Sequence, residues 1–138
     1  DLVGLGSSAI SRIDNSYSQN PRDLPGWEAA VDAGRLPVWR GLTLDADDAL
    51  RAELIGQLMC QGEVDGHALA ARHGVDFESY FSDALIALQA LQHDGLAEYA
   101  DGVVRATEQG RPLLRLLAMC FDRYLGKVES PARYSRAI

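Results

Sequence analysis

Residues able to do chemistry are few in this chain, and their spacing argues against most reactions they could join. Histidine stands at positions 67, 73 and 93, and cysteine at 60 and 120. Structural zinc sites take four such ligands in two short paired spacings, and these five residues do not supply two such pairs. His67, His73 and His93 fall in short stretches rich in alanine and glycine, which suits surface or capping positions rather than ligation. Cys60 and Cys120 each lie in an apolar pattern of helical period, the setting of a buried free thiol rather than a disulfide or metal ligand. Ser7, His67 and Asp65 supply the residue types of a nucleophilic triad, but no nucleophile-elbow pattern surrounds the serine. "GLGSS" at residues 4–8 has the glycine content of a phosphate-cradling loop, yet lacks the third glycine, the lysine and the strand before it. Gly4 and Gly6 permit backbone approaches closed to other residues, so this stretch reads as a ligand-facing loop or as an ordinary turn.

The elements that would position these residues are clearly punctuated. "NPRDLPGWEAAVDAGRLPVWRG" reads as a turn and a short helix carrying Trp27, Ala30 and Val31, stopped near Gly34 and followed by an extended exit at Pro37. Asp45 is an N-cap candidate, with Asp47 and Asp48 in the first turn of a helix whose apolar stripe is Leu50, Leu54 and Leu58 with Ile55 and Met59. Asp65 caps a short helix ended by Gly74, and Asp76 caps a longer one ended by Gly95. In the latter, Phe77, Phe81, Ala84, Leu85, Leu88 and Leu91 repeat at helical spacing. The period then changes: Leu96, Tyr99, Val103 and Val104 flank Asp101-Gly102, a favoured two-residue turn, which predicts a hairpin of two short strands. Thr107 caps a last helix with Leu113, Leu117, Cys120, Phe121 and Tyr124 on its core face. Pro112 predicts a kink or restart there.

The 138 residues are 47% hydrophobic, enough for one globular core. No apolar run approaches the roughly 18 residues of a membrane span, and no signal-peptide pattern opens the chain, which points to the cytosol. Residues 1–44, 45–126 and 127–138 carry local charges of −1, −8 and +2. They read as a leading segment with connector, an acidic helical domain and a basic tail. An acidic body argues against nucleic acid, since phosphate binding needs cationic surface.

Helix, short helix, helix, hairpin, helix is the order of a winged-helix module, and the fold class read here is mainly α with one β-hairpin. In a DNA-binding relative, residues 77–93 would enter the major groove. That stretch carries Glu78, Asp83 and His93 with Asp94 beside it, and no Lys or Arg, while the hairpin sets Glu98 and Asp101 against Arg105. Like charges would face the phosphates, so a packing or lid module is the better reading.

Taken together, "GLGSSAIS", "YSQN", "VWRG", "RAELIGQLMC", "YFSDALIALQALQHDGL", "TEQGRPLLRLLAMCFDRYL" and the terminal "YSRAI" resemble the C-terminal third of bacterial oxygen-independent coproporphyrinogen III oxidases. These are radical S-adenosylmethionine enzymes. The resemblance implies a preceding partial (β/α) barrel, absent from the chain, with a [4Fe-4S] cluster on a CxxxCxxC motif; "GLGSSAIS" would end its last strand and loop. It implies that Ile10 contacts S-adenosylmethionine, with Gly4, Gly6 and Ser8 beside it. It further implies a 5′-deoxyadenosyl radical that takes a propionate β-hydrogen, two propionates of coproporphyrinogen III becoming the vinyls of protoporphyrinogen IX. With two cysteines, the chain alone lacks the cluster motif and is expected to be inactive and free of both cofactors. Pro112 and Leu116 depart from the expected aliphatic and polar residues. A monomer that meets the barrel domain, and neither nucleic acid nor membrane, is the expectation. The alternatives are a winged-helix regulatory or binding module and a haem-chaperone relative.

Overall fold

Asp14 and Asn15 reverse the chain between two four-residue strands, β1 (Ile10–Ile13) and β2 (Ser16–Gln19), with Asp14 at φ 51°. Asp and Asn tolerate the left-handed backbone that such tight reversals demand. Helix α1 (Leu24–Asp32) follows, its first turn closed by the Asp23 carboxylate accepting from Gly26 N at 2.7 Å, and its exit passes through Gly34 at φ 67°. The chain then returns as β3 (Arg40–Thr43), antiparallel to β2, giving a three-stranded sheet in the order β1-β2-β3. The computed structural model describes residues 1–125, which fall into two compact units, Asp1–Ala49 and a second from Leu50 onward.

Helix α2 (Ala46–Gln61) starts in a reciprocal cap: Asp48 N donates to Asp45 Oδ1 at 2.8 Å, and Asp45 N donates to Asp48 Oδ2 at 3.2 Å. Beyond it the second unit runs β4 (Glu63–Asp65), α3 (Gly66–Arg72), α4 (Phe77–Tyr80), α5 (Ser82–His93), β5 (Ala97–Ala100), β6 (Val103–Ala106), a 3-10 turn (Arg111–Leu113) and α6 (Leu114–Cys120). Asp65 and Asp76 cap α3 and α4 as expected, accepting from Ala68 N and Ser79 N, and Gly74 and Gly95 leave their helices at φ 69° and 70°. Asp101 and Gly102, at φ 53° and 77°, make the predicted hairpin turn. Leu50, Leu54, Leu58, Val64, Leu69, Phe77, Phe81, Leu88, Val104, Leu117 and Phe121 form the core. Phe81 sits at its centre, 5.2 Å from the Phe77 ring and 5.5 Å from that of Phe121.

Several expectations are corrected. The fold is mixed helix and small sheets rather than mainly α, because the leading segment is a sheet and β4 pairs with β6, making the hairpin three-stranded in the order β4-β6-β5. The helix expected from Asp76 to Gly95 breaks at Phe81, whose φ −105° and ψ 22° leave the helical region. Cys60 is exposed rather than buried, and Met59 is largely exposed. Two residues along a helix turn the side chain by about 200°, so the stripe through Leu58 leaves Cys60 on the outer side. Leu113 and Tyr124 are exposed too, Leu114 beyond the 3-10 turn at Pro112 packing on the core in place of Leu113, while Leu117 and Phe121 are buried as expected. The predicted restart at Pro112 is what the chain does. The basic tail at residues 127–138 lies outside the described residues.

Candidate functional site

Strand pairing sets the face on which Ile10 stands. Ile10 pairs with Gln19, and Gln19 with Arg40, so these three form one row across the sheet; Arg12, Tyr17 and Leu42 form the next. Alternation along each strand puts both rows on one face. There a groove of about 520 Å³ is lined by Ile10, Tyr17, Gln19, Arg40 and Leu42, with Ser18 and Gly41 between them. Its apolar members are open: Ile10 is 54% exposed and Leu42 55%. Arg40 Nε donates to Gln19 Oε1 at 2.9 Å, and the guanidinium lies 4.8 Å from the Trp39 ring centroid.

The loop before Ile10 is tied to the end of β2. Asn20 Nδ2 donates to Gly6 O at 2.8 Å, Gln19 Nε2 to Ser8 O at 3.3 Å and Ser8 N to Pro21 O at 2.7 Å. A side chain at Gly4 would meet Ile10 O at 2.6 Å, and Gly6 has φ 96°, so both glycines answer a backbone requirement. Gly4, Gly6 and Ser8 are not among the residues lining the groove. Of the earlier candidates, then, Ile10 alone stands in it. Tyr17, Gln19, Arg40 and Leu42 are not singled out by the sequence, their signal being the two-residue spacing within "YSQ" and "RGL", legible only once both are taken as strands.

The second unit uses its titratable residues as braces. His67 Nε2 donates to Glu78 Oε1 at 2.6 Å, and Tyr99 Oη donates to the same oxygen at 2.7 Å, joining α3, α4 and β5. The Tyr99 hydrogen bond and that from His67 hold Glu78 below the usual carboxylate range, and Glu78 in turn pushes His67 up. Partial burial and the Glu78 carboxylate raise Tyr99 to about 12. Glu53 on α2 accepts from His73 at 3.0 Å and Arg72 at 2.5 Å; the His73 bond is the main reason its carboxyl titrates low. His93 is exposed. Asp65 is engaged as a helix cap and His67 with Glu78, so the paper triad of Ser7, His67 and Asp65 is not assembled. Burial raises the Cys120 thiol, which makes it a poor nucleophile. Among the described residues, no group of three or more His, Cys, Asp or Glu is placed to hold a metal ion, and no helix is long and apolar enough to cross a membrane.

The chain is thus a mixed helix-and-sheet structure of two units, each with a three-stranded antiparallel sheet. The model for the HemN C-terminal domain matches residues 44–113, and the chain belongs to that family. Oxygen-independent coproporphyrinogen III oxidases match all 138 residues, at 38% identity for Salmonella typhimurium and 40% for Pseudomonas aeruginosa, over 30% of each relative's length. A solved structure, coproporphyrinogen III oxidase (HemN) from Escherichia coli, a radical SAM enzyme, aligns with 91% of the chain and 29% of its own at 37% identity and a TM-score of 0.85. The chain thus spans about 30% of the length of the relatives it matches.

Proposed function

We propose that the chain is the C-terminal part of an oxygen-independent coproporphyrinogen III oxidase, which converts two propionates of that substrate to vinyl groups. The observation that carries this reading is likeness over the whole chain, 40% identity across 138 residues, rather than over one motif. The order α2, β4, α3, α4/α5, β5, β6 supports a winged-helix-like domain over residues 45–126. Its role is that of a lid: a reaction that proceeds through a radical needs water and oxygen excluded, and packed apolar surface does this without reactive groups.

Two cysteines do not fit a [4Fe-4S] cluster, which takes three or four thiolates, so its ligands belong elsewhere in such a protein. S-adenosylmethionine, when bound, supplies the hydrogen-abstracting group. For that cofactor the first unit does fit at one edge: Ile10 on β1 is an exposed apolar side chain at the rim of the groove, suited to cover an adenine edge. Leu2, Val3, Leu5 and Ile13 are exposed beside it in sequence, the mark of a surface meant to be covered. Anaerobic assay of the complete enzyme with coproporphyrinogen III, S-adenosylmethionine and a reductant tests the reading. Protoporphyrinogen IX and carbon dioxide in a ratio of one to two are expected; tight haem binding without turnover would instead assign the chain to a haem-chaperone relative.

A further inference from the structure

Arg40 carries the charge of the groove, and none of the described residues lining it is acidic. Its guanidinium is held in place on two sides, by the Nε bond to Gln19 and by the Trp39 ring. Among the described residues neither contact uses the two Nη groups, whose outer edge presents parallel N–H donors. That edge matches a carboxylate two-prongedly, which an ammonium cannot do. Beside it run the apolar faces of Ile10, Tyr17 and Leu42, so the groove offers one fixed cation at the rim of an apolar bed.

We infer that Arg40 is a specificity-determining residue that grips a propionate carboxylate of the porphyrinogen while Tyr17 and Leu42 bed its ring. The inference rests on the function proposed above and deepens it. Charge favours the tetracarboxylate: S-adenosylmethionine offers one carboxylate beside two cationic groups, whereas coproporphyrinogen offers four carboxylates and no cation. Geometry allows both molecules to meet on this face. Ile10 and Arg40 stand on the outer strands in one row, two strand spacings or roughly 10 Å apart, the cofactor at the β1 side and the propionate at the β3 side.

The test uses the complete enzyme and reads binding by fluorescence with coproporphyrin III, the oxidised tetracarboxylate, beside its tetramethyl ester. Arg40→Gln is expected to weaken coproporphyrin binding about tenfold and to raise the substrate KM similarly. The ester's affinity, the S-adenosylmethionine Kd and the cluster absorbance should stay put. Arg40→Lys should fall between, and Gln19→Ala, which leaves the charge but removes its anchor, should weaken binding severalfold. Arg35→Gln, an exposed cation of the same unit that does not line the groove, is the control and should change neither constant. Should Arg40→Gln fail to fold, the lysine variant decides: affinity equal to wild type overturns the inference. Equal weakening of acid and ester, or a weakened S-adenosylmethionine Kd with coproporphyrin binding intact, overturns it as well. A wild type that binds no coproporphyrin overturns the underlying function together with this inference, whereas a wild type that binds while Arg40→Gln binds equally well overturns the inference alone.

Discussion

At position 10 the apolar side chain sets what can approach the sheet face. Replacing Ile10 by Asp puts a carboxylate at the rim of the groove, with Arg12 two residues along its strand and Arg40 two strands across on the same face. In the complete enzyme, calorimetric titration should show weaker S-adenosylmethionine binding with an unchanged cluster spectrum, since a ligand seated over a carboxylate strips it of water and loses the apolar cover of Ile10; unaltered affinity would make Ile10 a packing residue. His67 offers a second test. Its pKa is raised in the folded chain by Glu78, so the brace adds stability fully below pH about 6.5 and loses it as pH rises through the elevated value. Glu78 is lowered, so its share is present above pH about 4.5 and lost as pH falls through the depressed value. NMR titration should find the His67 midpoint above the ordinary histidine value in the wild type and closer to it in Glu78→Gln. None of this was visible in the sequence, where His67 and Glu78 are merely eleven positions apart and the partner Tyr99 lies on another element.

Among the elements, those that announce themselves by local chemistry were legible: the Asp45, Asp65 and Asp76 caps, the glycines that end helices, and the Asp101-Gly102 turn. Those made by pairing at a distance were not. "EVD" is a strand only because Val104 lies against Val64, and "RGLT" only because it reaches back to "SYSQ" across α1. Neither has the alternation of apolar residues that would single it out. The Phe81 break was hidden for the opposite reason, since helical spacing continues straight through it. Two glycines test how well the element account holds. Gly56 lies exposed within α2 with open space around it, so Gly56→Ala should stabilise the chain by about 0.5–1 kcal/mol. Gly110 lies against the Leu96 carbonyl, where any side chain would overlap backbone, so Gly110→Ala should cost about 2–3 kcal/mol. Urea melts of the two variants should move in opposite directions.

On the scale of the whole molecule, the surface charge of the second unit decides which partners it refuses. Arg105, the cation of the hairpin, is paired with Glu63 at 2.6 Å, and α4 and α5 present Glu78 and Asp83. The chain should therefore show no measurable affinity for duplex DNA at physiological salt; salt-sensitive retention of a short duplex at submicromolar protein would reverse that conclusion. Family membership was legible from the order of several short motifs along the whole chain, while the groove was not, because its lining comes from three strands that only the folded sheet brings together.

Phe121 closes the ring stack on Phe81, and its carbonyl accepts from Arg51 Nη1 at 2.8 Å across seventy positions of sequence. This has a bearing on how the chain is made. A ribosome releases it from the N-terminus, so the pairings of β1, β2 and β3 are available once residue 43 has emerged, whereas the second core stays open until Phe121 has followed. The nascent second unit must hold Phe77, Phe81 and Leu88 uncovered through that interval, when a loosely collapsed chain is most open to chaperones and proteases. Stopping synthesis after residue 112 should leave a product cut rapidly within α5 by a dilute protease, while the full chain resists there; equal resistance of the two would show that the second core closes without its last helix.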